Sequence, residues 1–189
     1  MPTNQEIEVR FPEIDKMILL AMLREVGAED RGEDILEDMI FYAQPDGTIM
    51  PEDFTRIRKT KQAVTLTYKR HYEHSATGTT EIEMRIDDQA TGRKLLEAVG
   101  WHLVRHQQKK RHDFLLNGCE VSIDEYPQAA PYVEIEGPSE EALRETAALL
   151  GLDWKDVYLK HALLLLMEKR GLDVDRMKTY TFDTIEYAS

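Results

Sequence analysis

The sequence predicts an α+β fold in which an antiparallel β-sheet closes into a barrel and helices pack on its outer surface. Strand-like segments, in which polar and apolar residues alternate, outnumber helix-like segments by about two to one. A unit of strand, helix and glycine also occurs three times along the chain. Because an open sheet of many strands would leave its edges exposed, closure into a barrel is favoured. The 189 residues show no break in composition, which predicts a single domain spanning 1–189.

The repeated unit opens with an alternating strand that carries closely spaced glutamates. A segment of helical periodicity follows, and it ends at a glycine that is suited to a left-handed helix terminus. The three copies begin at 6–10, 81–85 and 134–136 and end at Gly27, Gly100 and Gly151.

Other alternating segments between the copies predict further strands. The pair Asn117-Gly118 predicts a tight hairpin turn. Asp153 can cap a helix from Trp154 to Arg170, with Gly171 as its stop. The additional predicted strands are about 38–43, 54–59, 64–70, 102–111, 120–125 and 177–187.

Composition narrows the class of ligand. The net charge of −12, from 24 basic and 36 acidic residues, disfavours nucleic acid and membrane surfaces, because a negative field repels polyanions. A small phosphorylated ligand is compatible if the basic residues converge on one enclosed place. No signal-peptide core is visible and the apolar run Ala162–Met167 is too short for a membrane span, so a cytoplasmic location is expected. Leu163–Leu166 is interpreted as core or as half of a homodimer contact, and Cys119 as a buried structural residue.

Each predicted strand has one apolar face and one charged face, since residues i and i+2 of a strand point the same way. Glu8 and Arg10 share one face, for example, while Ile7 and Val9 share the other. An ordinary sheet would turn its charged face to water, but like-charged neighbours repel unless a counterion joins them. Helices over the apolar face would leave the charged face lining the barrel. Its other predicted members are Glu6, Arg56, Arg58, Lys69, Glu81, Glu83, Arg85, Lys109, Arg111, Glu134 and Glu136.

The mixture of acids and bases indicates a polyphosphate and a metal. Paired carboxylates are hard oxygen ligands that suit Mg²⁺ or Mn²⁺. Arginine and lysine neutralise phosphate oxygens, and arginine can do so with two parallel hydrogen bonds. The chain has neither a Walker loop nor a GxGxxG motif, so phosphate binding at a helix N-terminus is unsupported.

The run Glu6-x-Glu8-x-Arg10 resembles the ExExK signature of CYTH domains, a superfamily of class IV adenylyl cyclases, thiamine triphosphatases and inorganic triphosphatases. ExExK alone is a weak motif, whereas an ordered set is specific. The set continues in family order through Arg56-x-Arg58, Leu66–Lys69, Glu81-x-Glu83, Lys109-x-Arg111, Ile123–Glu125 and Val133–Gly137. The resemblance implies a closed eight-stranded antiparallel β-barrel, the triphosphate tunnel, which agrees with the barrel predicted above.

The resemblance also implies roles. Metal, Mg²⁺ or Mn²⁺, would be held by Glu6, Glu8, Asp124, Glu134 and Glu136. Phosphates would be held by Arg56, Arg58, Lys69, Lys109 and Arg111, with Arg85 as a further candidate. Glu81 or Glu83 would orient the attacking water. Arg10 stands at a catalytic position where the family usually has lysine, so Arg10→Lys is expected to leave activity equal or higher.

Three functions remain open at this stage. The first is metal-dependent hydrolysis of a small-molecule triphosphate: inorganic triphosphate, thiamine triphosphate or a nucleoside triphosphate. The second is a class IV adenylyl cyclase, in which the ribose 3′-hydroxyl attacks the α-phosphate of ATP. The third is a noncatalytic domain that binds polyphosphate or a nucleotide.

Overall fold

The structure, a computed structural model, describes residues 4–44, 53–71, 79–160, 162–173 and 176–188. Its strands are β1 (Asn4–Glu6), β2 (Glu8–Phe11), β3 (Glu29–Tyr42), β4 (Asp53–Lys59), β5 (Val64–His71), β6 (Thr79–Ile86), β7 (His102–Leu116), β8 (Cys119–Glu125), β9 (Tyr132–Glu136), β10 (Met177–Tyr180) and β11 (Ile185–Tyr187). Its helices are α1 (Lys16–Glu25), α2 (Gln89–Ala98), α3 (Glu140–Leu149) and α4 (Ala162–Arg170), with a 3₁₀ turn at Trp154–Asp156.

The strand–helix–glycine repeat is present as predicted. Side chains of Asp15, Asp88 and Ser139 accept hydrogen bonds from the first turns of α1, α2 and α3. A glycine with positive φ follows each of these helices, a conformation that glycine adopts without steric cost. The three glycines are Gly27 (φ 75°), Gly100 (φ 93°) and Gly151 (φ 65°).

The strands form one curled sheet with the order β1-β6-β5-β4-β3-β7-β8-β9-β2, and β10 adds to β7. Neighbours along this order are antiparallel, whereas β10 runs parallel to β7. The curl brings charges from distant strands close together. The positive charge of Lys69 on β5, for example, favours ionisation of Glu136 on β9. The antiparallel α+β fold is therefore confirmed. The predicted closed barrel of eight strands is not what this order shows. Within the described ranges, the path of hydrogen-bonded neighbours has nine strands, and its two end strands, β1 and β2, are separated in the chain by Ile7.

The apolar core lies on the outer face of the sheet, under the helices. Val9, Val121 and Ile135 pack against Leu23 of α1 and Leu143 of α3, all fully buried. Fully burying one such side chain stabilises the fold by roughly 1.5–3 kcal/mol. The opposite face is consequently left for the polar side chains. Cys119 is buried and free, as expected.

Helix α2 covers a second part of the outer face, where Leu96 packs with Phe41 and Ile57. The helix approaches the sheet closely at Gly92, since a Cβ there would lie 2.6 Å from Ile86 and 3.0 Å from Ile57. A larger residue at this position would require the side chains of Ile86 and Ile57 to shift.

The chain after residue 153 differs from its prediction. Instead of one helix from Trp154 to Arg170, a 3₁₀ turn is followed by an extended residue, Tyr158, which forms an isolated bridge with Arg10. The single strand predicted at 177–187 is a hairpin of β10 and β11. In the first case a tertiary contact overrides local periodicity. In the second, a local turn in which Thr181 N donates to the carbonyl of Thr184 divides the predicted strand. None of the helices in the described part of the chain is long and apolar enough to cross a membrane.

The C-terminal elements pack beside the polar face of the sheet. Leu165 and Leu166 of α4 form a cluster with Tyr126, Tyr132 and Tyr180. Tyr132 lies opposite Asp124 in the register of β8 and β9, so its ring is on the same face as that carboxylate. Helix α4 therefore borders the face where charge was predicted.

Candidate functional site

Strand register assembles the predicted residues on one face of the sheet. Residues directly opposite each other in neighbouring strands share a face, and the register joins Arg56 to Thr67 and Thr67 to Glu83. We call this surface the charged face; it comprises Glu8, Arg10, Asp38, Arg56, Arg58, Lys69, Glu81, Glu83, Arg85, Lys109, Arg111, Asp124, Glu134 and Glu136. Glu6 lies in β1, but its side chain is outside the described residues.

A chain of ion pairs crosses the charged face from β2 to β7. Arg10 Nη2 donates to Glu8 at 2.5 Å, and Arg10 Nε lies 2.8 Å from Glu134. Arg111 Nη2 bridges Glu134 at 2.8 Å and Asp124 at 2.7 Å. This is a preorganised row of alternating positive and negative groups.

Asp124 is the most enclosed member of the row, with no exposed surface. Its two oxygens accept hydrogen bonds from Arg111 (2.7 Å, twice), Lys109 (2.6 Å) and Tyr132 (2.9 Å). Burial opposes its ionisation, but the charges of Arg111 and Lys109 outweigh burial and lower the pKa of Asp124. Burial, followed by repulsion from Arg111, lowers the pKa of Lys109 to about 8. Both oxygens of Asp124 are therefore engaged by cations and a hydroxyl.

A second ion pair lies beside this row. Arg58 donates two hydrogen bonds to Asp38, at 2.7 and 2.8 Å, in the fork geometry that gives the strongest arginine–carboxylate contacts. Asp38 is 2% exposed. Burial opposes its ionisation, yet Arg58 holds the pKa of Asp38 well below its usual range.

Arg56 differs from the neighbouring cations of the charged face. Its Nε is buried and has no hydrogen-bond partner. Burial, and then repulsion from Arg58, lowers the pKa of the guanidinium despite the attraction of Asp38 and Glu81. A buried guanidinium nitrogen without an acceptor is costly, so this position is suited to an anion that approaches from outside the chain.

The β5–β6 side of the charged face is more open. Lys69 pairs with Glu81 at 2.5 Å, and Thr67 donates to Glu83 at 2.8 Å. Glu83 and Arg85 are exposed to solvent. The charged face thus passes from enclosed ion pairs on β7 and β8 to accessible side chains on β6.

Glu136 lies close to other acids of the charged face. Burial, followed by the like charges of Glu8 and Glu134, raises its pKa to about 7. A cation between these acids would relieve the repulsion. Among the described residues, no three His, Cys, Asp or Glu side chains are arranged to ligate one ion. A metal here would therefore need oxygen ligands from elsewhere, such as water or substrate.

Residues 4–160 match the CYTH domain family. The chain belongs to the CYTH family. No curated protein matches it.

Three solved structures share this fold. A conserved hypothetical protein from Pyrococcus furiosus has a TM-score of 0.72 and 25% identity to this CYTH domain, over 85% of this chain and 99% of that one. The PH1819 protein from Pyrococcus horikoshii has a TM-score of 0.69 and 26% identity, over 87% and 99%. A Hippeastrum protein proposed to be an adenylyl cyclase, and described as having a dominant triphosphatase activity, has a TM-score of 0.59 and 14% identity, over 88% and 96%. At that identity it shows a shared fold only.

Glu136 gives this CYTH domain a testable pH dependence. Its pKa is higher in the folded protein than in an unfolded chain, where a glutamate titrates near about 4.3. Its contribution to stability is therefore complete below about pH 4 and is lost as the pH rises through about 7. Glutamine cannot ionise, so Glu136→Gln should raise the melting temperature above that of the wild type at about pH 8.5, but not at about pH 4.

The measurement is thermal unfolding in the presence of a chelator at both pH values. Glu25→Gln is a suitable control, because Glu25 is exposed at the end of α1. Equal melting temperatures of wild type and Glu136→Gln at high pH would show that the acids are solvated rather than crowded.

Several residues on or beside the charged face were not predicted from the sequence. Asp38 and Tyr132 bind predicted residues directly, and Arg105 donates to Gln107 at 2.8 Å while both are buried. A single acid on the same strand face as Leu36 and Ile40 was the available signal for Asp38. Tyr132 carries no such signal, because a tyrosine at a strand start is common in cores.

Proposed function

We propose that this protein hydrolyses a small-molecule triphosphate with the help of a divalent metal, Mg²⁺ or Mn²⁺. The observation that carries the proposal is Arg56, whose Nε is buried on the charged face without a hydrogen-bond partner. Phosphate oxygens are the acceptors that best match a guanidinium. Arg56 is flanked by Arg58, so a multiply charged anion is favoured over a carboxylate.

The balance of charge supports a metal as companion of the anion. In the part of the chain that the structure describes, the seven enclosed cations exceed the six enclosed acids by one charge. The cations are Arg10, Arg56, Arg58, Lys69, Arg105, Lys109 and Arg111, and the acids are Glu8, Asp38, Glu81, Asp124, Glu134 and Glu136. A face so nearly neutral cannot offset the charge of a triphosphate by itself. A divalent cation that accompanies the ligand supplies the missing positive charge.

Glu8 and Glu136 are the side chains we assign to the metal, with Glu6 by resemblance to the family. Glu134 and Asp124 are held by arginines and Lys109, which makes them anchors for the phosphate-binding cations. Mg²⁺ in proteins commonly uses one or two carboxylates together with water and substrate phosphates, which fits this small set. When bound, it would neutralise charge that develops on the transferring phosphoryl group.

The exposure of each side chain guides the remaining assignments, which are phosphate binding and orientation of the attacking water. Arg56 and Arg58 would hold the phosphates, with Lys109 and Arg111 on the enclosed side. Glu83 is exposed and is oriented by Thr67, so it is the better placed of the two β6 acids to orient a water molecule. Glu81 instead fixes Lys69.

We further propose that the N-terminal segment closes the sheet into a tunnel. β1 pairs with β6, β2 pairs with β9, and Ile7 alone separates the two strands in the chain. The carbonyl of Ile7 also accepts a hydrogen bond from Gly137 at 3.0 Å, which extends the β2–β9 pairing up to this joint. If β1 and β2 form one continuous strand, that strand joins β6 to β9 and closes the sheet. Closure would exclude bulk water from the charged face.

Product analysis tests the function. The protein is incubated with tripolyphosphate, thiamine triphosphate or ATP, each with Mg²⁺ or Mn²⁺ and each with excess chelator. We expect orthophosphate from at least one substrate, only with metal present, and a strong loss of turnover in Glu83→Gln. Cyclic AMP and pyrophosphate from ATP would instead identify a class IV adenylyl cyclase. Binding without product would identify a noncatalytic triphosphate-binding domain.

A further inference from the structure

Arg10 connects three parts of the molecule through one guanidinium. The side chain is buried, and its Nη2 donates to Glu8 at 2.5 Å. Its Nε lies 2.8 Å from Glu134, in a charge contact whose angle falls short of a hydrogen bond. Its Nη1 donates to the backbone carbonyl of Lys160 at 3.2 Å. The two acids belong to β2 and β9, whereas Lys160 belongs to the segment that leads into α4.

The backbone of Arg10 is tied to the same segment. Arg10 N donates to the carbonyl of Tyr158 at 3.3 Å, and Tyr158 N donates to the carbonyl of Arg10 at 2.8 Å. The Tyr158 hydroxyl and the Lys160 ammonium both bind Glu168 on α4, at 3.0 and 2.7 Å. Residues 158–170, which we call the C-terminal segment, are therefore linked to Arg10 by backbone and side-chain bonds.

The C-terminal segment also touches the far end of the ion-pair row. Leu165 and Leu166 pack with Tyr132, whose hydroxyl donates to Asp124. The region that matches the family ends at residue 160, so α4 lies beyond it. The C-terminal segment, which begins inside the family match and runs beyond it, thus contacts Arg10 at one end of the row and Tyr132, a partner of Asp124, at the other.

A lysine could not reproduce these contacts. The guanidinium is planar and directs nitrogens toward three partners at once, whereas an ammonium is a single compact centre. The contacts therefore predict the opposite of the expectation drawn from the ExExK resemblance, in which lysine at position 10 would preserve or raise activity.

We propose that Arg10 is a positioning residue, which holds Glu8 and Glu134 in place and makes their arrangement depend on docking of the C-terminal segment. The metal-binding part of this inference rests on the proposed function. The link between Arg10 and the C-terminal segment does not.

The experiment compares Arg10→Lys with wild type by amide hydrogen exchange and by Mn²⁺ titration of the ligand-free protein. Loss of the Lys160 contact should speed exchange in residues 162–170 about tenfold or more. Disturbed carboxylates should weaken Mn²⁺ binding by roughly 10–100-fold, as removal of an outer-shell partner does in metal sites. Arg93→Lys is the matched control, because Arg93 forms only a surface pair with Glu97 among its described contacts, and it should change neither quantity.

Glu168→Gln tests the coupling from the other side. Glu168 binds Tyr158 and Lys160 on the C-terminal segment, so weakening it should speed exchange in α4 and also weaken Mn²⁺ binding, in the same direction as Arg10→Lys. Unchanged exchange of α4 in Arg10→Lys would overturn the inference, as would unchanged Mn²⁺ affinity in a wild type that binds Mn²⁺. If the wild type binds no Mn²⁺, the proposed metal function fails, and the exchange measurement alone decides the role of Arg10.

Discussion

Replacement of Arg56 by alanine should remove most of the affinity for a triphosphate while leaving the fold intact. The buried Nε of Arg56 has no hydrogen-bond partner, so the loss of this side chain breaks no internal hydrogen bond at that atom. A hydrogen bond between charged groups contributes about 1.5–3 kcal/mol, which corresponds to a loss of roughly ten- to a hundredfold in affinity. Thermal unfolding with and without tripolyphosphate and Mg²⁺ measures this, because a ligand that binds the native state alone raises the melting temperature.

Arg93→Ala is the control for this experiment, since it removes an arginine from an exposed i,i+4 pair on α2. The ligand-free Arg56→Ala protein should melt close to the wild type, because burial beside Arg58 already disfavours the charge of Arg56. A ligand-induced shift as large in Arg56→Ala as in the wild type would place the triphosphate somewhere else on the molecule.

Arg58→Met, in contrast, should act mainly on the stability of the fold. The substitution leaves Asp38, which is 2% exposed, without the fork of two hydrogen bonds that compensates its burial. Removing one partner of a buried ion pair costs about 3–5 kcal/mol. Urea unfolding at neutral pH should therefore show a much lower midpoint than the wild type.

The pH dependence of this loss has a definite sign. Arg58 holds the pKa of Asp38 below its unfolded value, so the pair stabilises the fold above about pH 4, and that stability is lost as the pH falls below it. The difference between Arg58→Met and wild type should shrink in acid. The double variant Asp38→Asn/Arg58→Met should recover much of the lost stability, because no unpaired charge remains. A loss below about 1 kcal/mol in the single variant would mean that Asp38 is solvated.

The charged face could be predicted because strand periodicity alone determines which residues share a face. The prediction that Glu8 shares a face with Arg10, and Arg56 with Arg58, required no knowledge of the partner strands. The roles assigned to these residues stay predictions, since geometry places a side chain without showing what it binds.

The partners across strands could not be predicted in the same way. Asp38 reaches Arg58 through the register of β3 and β4, which the alternation within either strand does not determine. The break in the helix predicted from Trp154 has a similar cause, because the extended backbone at Tyr158 is stabilised by Arg10, far away in the chain. Long-range pairing of this kind leaves no local pattern.

The split N-terminal strand has a consequence for biosynthesis. Asn4 pairs with Glu81, and Glu8 pairs with Glu136, so segment 4–11 leaves the ribosome well before its partner strands are made. Non-local strand pairing slows folding, because the ends of a long loop must meet before any contact forms. During translation the segment 4–11 is an unpaired edge that a neighbouring nascent chain can capture. The last hydrogen bonds of the sheet to form are therefore expected to be those made by residues 4–11.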